Sequence, residues 1–181
     1  MSTQSAAVPD LRYPVGRFKR PDKITAALRQ EWLSDIEALP DKLTEAVAGL
    51  DEQQLDTPYR PGGWTVRQVV HHFADSHMNS YVRFRLALTE DKPVIKPYDE
   101  QRWAELPDAK AAPVGVSLAL LTALHQRWAL LLRTLDDQAF ARTFSHPENG
   151  EMRLDTTLAL YAWHCHHHLA HITSLRARNG W

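Results

Sequence analysis

The sequence contains a single cysteine, Cys165, among 181 residues. One thiol cannot close an intramolecular disulfide, which excludes a small scaffold held by disulfides and agrees with a cytoplasmic location, where thiols stay reduced. The N-terminus lacks the apolar segment of a secretory signal, and no run approaches the roughly 20 apolar residues that cross a bilayer. We therefore expect neither secretion nor membrane insertion.

The sequence also lacks an excess of charge of either sign. Lysine and arginine number 21 and aspartate and glutamate number 22, which gives a net charge of −1. Proteins that bind nucleic acids or acidic membranes usually carry a basic stripe, so we expect neither as a partner and expect a small-molecule substrate instead. No linker or shift in composition divides the chain, and residues 1–181 are expected to form one domain.

Apolar residues at helical spacing predict four long helices. The first is expected to begin at a cap formed by Asp22 and to kink or restart at Pro40, because a proline ring removes a helical donor. The second begins at Thr65, whose side chain can form a capping box with that of Gln68.

The third helix is predicted over residues 116–135, and the fourth runs from a cap at Asp155 to Gly180. Residues 1–21 read as an extended arm, one helical turn is expected near Trp103, and a turn at residues 147–150 suggests a small hairpin before the last helix. These elements predict an all-α fold, a four-helix bundle with short extra helices.

Histidine is abundant in this sequence. The chain has ten histidines, and five of them lie within residues 164–171. At about 100° per residue, four of the five share one arc of a helix, whereas His166 points away. The four are His164, His167, His168 and His171.

Spacing by four residues allows two of these rings to reach one cation, and either His164 with His168 or His167 with His171 satisfies it. A catalytic zinc-type site has three protein ligands and an open position, so a third donor is needed. His71 and His72 on the second helix are both candidates, because neighbouring positions differ by about 100°. His77 lies among apolar residues, which favours a structural role.

Two motifs resemble the DinB/YfiT-like family of metal-dependent hydrolases, in particular its YfiT branch. They are Gly-Gly-Trp-Thr-Val-Arg-Gln-Val-Val-His-His at residues 62–72 and Trp-His-Cys-His-His-His-Leu-Ala-His-Ile at residues 163–172. The resemblance covers nearly the whole chain and implies a DinB/YfiT-like four-helix bundle and a homodimer. It also implies that His72, His164 and His168 hold the metal. Nitrogen donors favour one Zn²⁺ or Ni²⁺ per subunit over calcium.

Three functions remain open for such a site. The metal could activate water for hydrolysis, or it could hold a low-molecular-weight thiol as a thiolate, since the resemblance extends to bacillithiol-type S-transferases. It could also clamp the bundle without catalysis, which would call for a fourth ligand such as Cys165 or His171. No general base is evident, because no glutamate lies between the paired histidines. Four polar residues are the candidates to assist catalysis: Asp75, Asn79, Arg83 and His171.

Overall fold

The computed structural model describes residues 10–181. This part of the chain contains four long helices, four short helices and one two-stranded hairpin. In chain order the elements are α1 (Ala26–Val47), α2 (Glu52–Leu55), α3 (Val66–Thr89), α4 (Glu100–Ala104), α5 (Pro107–Ala111), α6 (Val114–Arg133), α7 (Asp137–Phe140), β1 (Thr143–His146), β2 (Gly150–Arg153) and α8 (Leu154–Asn179).

The long helices α1, α3, α6 and α8 form the predicted four-helix bundle. α1 packs against α6 and α8, and α3 packs against the same two helices. The consecutive long helices α1 and α3 therefore lie across the bundle from each other. Side chains from all four helices meet in one hydrophobic core, in which Ile36, Phe73, Trp128 and Leu158 are fully buried.

The start of α3 follows the prediction. The Thr65 side chain accepts a hydrogen bond from the backbone N–H of Gln68, and the Gln68 side chain accepts one from the N–H of Thr65. This capping box satisfies two donors that the first turn of a helix would otherwise leave without partners.

Two predicted caps are wrong. α1 is capped by Thr25, whose hydroxyl accepts from the N–H of Leu28, and not by Asp22. α8 begins after Arg153, so Asp155 lies inside its first turn, where its carboxylate accepts from the N–H of Thr156 and pairs with Arg153. A negative side chain in that turn still interacts favourably with the positive end of the helix dipole.

A proline lies in the middle of α1, and a glycine lies at the end of α8. α1 continues through Pro40 and does not restart there. α8 ends at Gly180, as predicted, with the left-handed φ of 69° that glycine adopts without strain.

The connections between the long helices contain more structure than predicted. The turn near Trp103 is α4, and the expected hairpin is β1–β2, with Thr143 opposite Arg153 and His146 opposite Gly150. The polar connection before α3 contains α2, and α5 and α7 were not expected. Helices of four or five residues are too short to produce a detectable apolar period.

The N-terminal arm was expected over residues 1–21, and its first nine residues lie outside the described part. Residues 10–21 contain no helix or strand and lie on α8. Trp163 donates its indole N–H to the carbonyl of Gly16 at 3.2 Å, and His171 bonds the carbonyl of Arg12 at the same distance. The arm therefore contacts the histidine-rich helix through backbone carbonyls.

One described helix, α6, is long and apolar enough to cross a membrane when it is judged by length and composition alone. α6 packs between α1 and α3, and its buried His125 contacts Ile36 of α1 and His77 of α3. The outer face of α6 exposes three apolar side chains: Val116, Leu120 and Leu130.

Candidate metal centre

Two neighbouring helices bring three imidazoles together. His72 lies two turns into α3, and His164 and His168 lie one turn apart on α8. The Nε2 atoms of His72 and His164 are 3.2 Å apart, and the ring of His168 has its centroid 4.4 Å from that of His164 and 4.7 Å from that of His72. One ring nitrogen from each residue lies within 4.8 Å of the others.

The three rings fit a divalent metal ion in geometry and in charge. Two nitrogen ligands about 2.0–2.1 Å from a tetrahedral zinc ion lie about 3.3 Å apart, close to the separation of the two Nε2 atoms. Burial, followed by the charges of nearby histidines, lowers the pKa of His72 to about 3 and lowers the pKa values of His164 and His168 well below the usual value. The rings are therefore neutral at pH 7, which is the form that binds metals.

His168 is oriented by His171, which itself hydrogen-bonds to a backbone carbonyl of the arm. The carbonyl of Arg12 can only accept, so His171 donates to it from Nε2, and its Nδ1 is left to accept. His168 then donates from Nδ1 to that atom, at 3.3 Å. This arrangement leaves the Nε2 lone pair of His168 free to bind a metal.

A second group of histidines, His167, His168 and His171, also satisfies metal-ligand spacing. It shares His168 with the first group, and the hydrogen bond between His168 and His171 already accounts for the approach of those two rings. The His167 ring stacks on Trp163 with a centroid distance of 4.4 Å, and its buried Nδ1 has no hydrogen-bond partner in the part of the chain that the structure describes. Cys165 belongs to neither group and is buried among the described residues of the core, which raises the pKa of its thiol.

His71 lies on a different side of α3 from His72. Its Nδ1 is 2.7 Å from the hydroxyl of Ser117, and its Nε2 is 3.1 Å from the carbonyl of Ala112. Both nitrogens are thus engaged next to α5 and α6, away from the rings of α8.

A cavity of about 510 Å³ opens over the three-histidine group. His164 and His168 lie on its wall, so a metal held by them would face the cavity. The arm and the segment before α3 form one side, and the hairpin and the segment before α4 form the other. The arm side includes Arg12, Tyr13, Tyr59, Arg60 and Trp64, and the hairpin side includes Tyr98, Glu100, His146, Glu148 and Asn149.

The predicted catalytic candidates separate into two pairs. Arg83 and His171 line the cavity. Asp75 and Asn79 do not line it in the described part of the chain: the Asn79 amide donates to the backbone carbonyl of Asp75, and burial, followed by the charge of Asp108 on α5, raises the pKa of Asp75. Of the polar side chains on α3, those of Ser76 and Arg83 line the cavity.

Several residues at the site were not predicted from the sequence. Glu100 lines the cavity, and partial burial raises the pKa of its carboxylate. Among the described residues, the buried hydroxyl of Tyr98 has no hydrogen-bond partner, and the Ser76 hydroxyl lies 3.5 Å from His164 Nε2. The sequence offers two signals for Tyr98 and Glu100: their place within a long loop, since such loops often cover sites, and the likeness to the YfiT branch, which extends through residues 96–100.

The sequence and the fold match known proteins. Residues 35–172 match a family model described as the DinB superfamily. The chain belongs to the DinB superfamily. This finding confirms the resemblance carried by the two histidine-containing motifs.

Relatives and solved structures agree with this membership. Proteins from Bacillus cereus strains B4264 and ATCC 14579 are each 59% identical over 172 residues, which is 95% of this chain and 99% of theirs, and both bear the name "Putative metal-dependent hydrolase". YfiT from Bacillus subtilis, described as a probable metal-dependent hydrolase with an unusual four-helix bundle topology, superposes with a TM-score of 0.92 and is 55% identical over 94% of this chain and 98% of its own. The four-helix bundle protein TT2238 superposes with a TM-score of 0.52 at 25% identity, over 82% of this chain and 98% of its own.

Proposed function

We propose that this DinB-superfamily chain is a metal-dependent hydrolase in which His72, His164 and His168 hold one zinc or nickel ion. One observation carries the proposal: three neutral imidazoles from two helices converge, and two of them, His164 and His168, lie on the wall of a cavity, so that this side stays open. Nitrogen donors suit zinc and nickel better than calcium or magnesium, which prefer oxygen. The names of the relatives support the same class of activity.

A divalent ion in such a site lowers the pKa of water and polarises the bond under attack. The protein holds the ligands in place through His171, which orients His168. The buried Tyr98 hydroxyl, which has no partner within residues 10–181, can hydrogen-bond to a substrate oxygen. Arg83 lines the same cavity and can bind a negatively charged or carbonyl group of the substrate.

Glu100 is the proposed proton acceptor for the attacking water. Its carboxylate lines the cavity, and its raised pKa brings it closer to neutral pH, which favours proton transfer. Glu100→Gln should lower kcat by about 10²–10⁴-fold while leaving the metal content unchanged. Glu105→Gln, at a surface pair with Lys110, is the control and should keep full activity.

Elemental analysis and a substrate screen test the proposal together. We expect roughly one zinc or nickel ion per chain and hydrolysis of a small ester, amide or lactone. The double variant His164→Ala with His168→Ala should lose both. Protein that carries no metal after growth with zinc and nickel would contradict the proposal. Full metal occupancy with no turnover of any substrate class would favour a metal that only clamps the helices together.

A thiol S-transferase is the second candidate. The residues between His164 and His168 include no glutamate, unlike the helical zinc hydrolase motif, and a thiolate needs less help from a base than water does. Cobalt-substituted protein distinguishes the two candidates, since sulfur binding to cobalt changes its visible spectrum. A spectrum that low-molecular-weight thiols leave unchanged would favour hydrolysis.

We also propose the kind of partner, the location and the oligomeric state of the protein. A small-molecule substrate and the absence of a nucleic-acid partner agree with the near-zero net charge, and a cytoplasmic location agrees with the single cysteine. The exposed apolar residues of α6, Val116 and Leu130 among them, support a homodimer. Light scattering of the purified chain would measure its mass directly, and a monomer at micromolar concentration would contradict the homodimer.

A further inference from the structure

A proline inside α1 leaves a backbone acceptor in the core of the bundle. Pro40 has no N–H, so the carbonyl of Ile36, four residues earlier, lacks its usual helical donor. His125 of α6 donates to this carbonyl from Nδ1. Ile36 is 0% exposed and His125 is 1% exposed, so water does not compete for the bond.

Two further hydrogen bonds connect His125 to a proposed metal ligand. His125 Nε2 is 2.9 Å from Nδ1 of His77, and His77 Nε2 is 3.1 Å from Nδ1 of His164. Three imidazoles from α6, α3 and α8 thus form one continuous chain of hydrogen bonds between the Ile36 carbonyl and His164.

The direction of every hydrogen bond in this series of imidazoles follows from the Ile36 carbonyl at its end. A carbonyl only accepts, and burial lowers the pKa of His125 to about 4, so at pH 7 this ring has one N–H, at Nδ1. Its Nε2 must accept from His77 Nδ1. His77 Nε2 then has to accept from His164 Nδ1, and His164 is left with a lone pair on Nε2, the atom that faces His72.

We propose that Pro40, His125 and His77 form a positioning relay that fixes His164 in the tautomer able to bind a metal through Nε2. This inference rests on the proposed function for the identity of the ligand, and it adds residues from two further helices to the site. The relay parallels the shorter one at His168, where His171 and the carbonyl of Arg12 do the same. Each metal ligand of α8 is thereby oriented by a backbone carbonyl acting through neutral imidazoles.

Nitrogen NMR of the metal-free full chain tests the tautomers directly. With ¹⁵N-labelled histidine, we expect His125, His77 and His164 each to carry a proton on Nδ1 and none on Nε2. A proton on His164 Nε2 would overturn the relay. The readout needs neither metal nor substrate, so this test can fail while the proposed function stands, and the proposed function can fail while the tautomers are as expected.

A matched pair of substitutions at His77 tests whether the relay matters for metal binding. His77→Gln keeps an oxygen that can accept from His164 Nδ1 and an amide that can donate to His125, so zinc affinity should stay within about threefold of the original. His77→Leu removes the acceptor, and we expect a loss of about 10–100-fold, as for other partners of metal-ligating histidines. Equal affinities for the two variants, with circular dichroism showing both folded, would contradict the proposal.

A substitution far from the metal tests the role of the proline. Pro40→Ala supplies an N–H to the Ile36 carbonyl, so the His125 Nδ1–H is no longer the sole donor to that acceptor. We therefore expect zinc affinity to fall several-fold. Pro107→Ala, at the first position of α5 where no helical acceptor is freed, is the control and should leave affinity unchanged. An unchanged His125 spectrum in Pro40→Ala would show that the proline is not part of the relay.

Discussion

Asp75 carries a carboxylate that becomes harder to ionise when the protein folds. Burial, followed by the charge of Asp108, raises its pKa from 3.8 to about 6. Between these values the folded state binds more protons than the unfolded state, so this carboxylate makes the stability of the protein fall as the pH rises from about 4 to 6.

Asp75→Asn removes that penalty. We expect the free energy of unfolding to rise by about 1 kcal/mol at pH 7.5, a discounted value because the side chain is partly exposed, and to change little at pH 3.5, where the carboxylate is mostly protonated in both states. Urea denaturation at the two pH values measures the difference, with Asp91→Asn on an exposed loop as the control. An equal gain at both pH values would show that ionisation is not the cause.

Arg67 holds three segments together from a buried position. Its side chain is 3% exposed and donates to Asp56 at 2.7 Å, to Glu52, and to the carbonyl of Ala112 at 3.0 Å. It thereby ties α2 and the segment after α5 to the first turn of α3.

Arg67→Met should lower the free energy of unfolding by about 1–2 kcal/mol, because hydrogen bonds from a buried guanidinium are lost, whereas the two carboxylates, 82% and 55% exposed, are solvated by water afterwards. Arg102→Met is the matched control: that side chain pairs with Asp99 at 3.3 Å but is 87% exposed, so its loss should cost under about 0.5 kcal/mol. Chemical denaturation measures both, and similar losses would contradict the argument from burial.

At the level of single residues, the sequence predicts the histidines that converge but not the network behind them. Residue type and spacing indicate His72, His164 and His168 once the family resemblance is added. His77 and His125 look like ordinary core residues in the sequence. The carbonyl that His125 bonds lies 89 positions away, and the proposed role of both residues depends on contacts between the four long helices. Such contacts have no counterpart in local periodicity.

At the level of elements, the capping box of α3 provides a direct test. Thr65→Ala removes the acceptor for the Gln68 N–H, and we expect a loss of about 1 kcal/mol in the free energy of unfolding. Thr65→Ser keeps the hydroxyl and should lose at most a few tenths of that. Thermal or urea denaturation separates the two, and equal losses would mean that the methyl group, not the cap, stabilises this end.

The long helices could be predicted because their apolar period persists over 20 residues or more, whereas their ends could not all be predicted. Asp22 and Asp155 are both good capping types, but Thr25 and Arg153 lie where the backbone turns into the helix. Pro40 was expected to interrupt α1. It does not, because the carbonyl that it frees bonds to His125, a tertiary contact that offsets the local cost.

At the scale of the whole molecule, bound metal should stabilise the fold. Zinc at 100 times its dissociation constant adds about 2.7 kcal/mol to the free energy of unfolding, which for a chain of this size raises Tm by roughly 5–10 °C. Calorimetry should show this rise in the unmodified chain and in His166→Ala, an exposed residue paired with Asp35, but not in His164→Ala with His168→Ala. A similar rise in the double variant would point to unspecific binding by the histidine tract.

The arrangement of the helices also sets the order in which the protein can be assembled. α1 leaves the ribosome first of the four long helices and α8 leaves it last, yet the two pack side by side. α6 can cover part of the apolar side of α1 earlier, but the part that faces α8 stays uncovered until the last helix has been made. Because His164 and His168 arrive with α8, the nascent chain cannot take up a metal ion at this site until that helix has emerged.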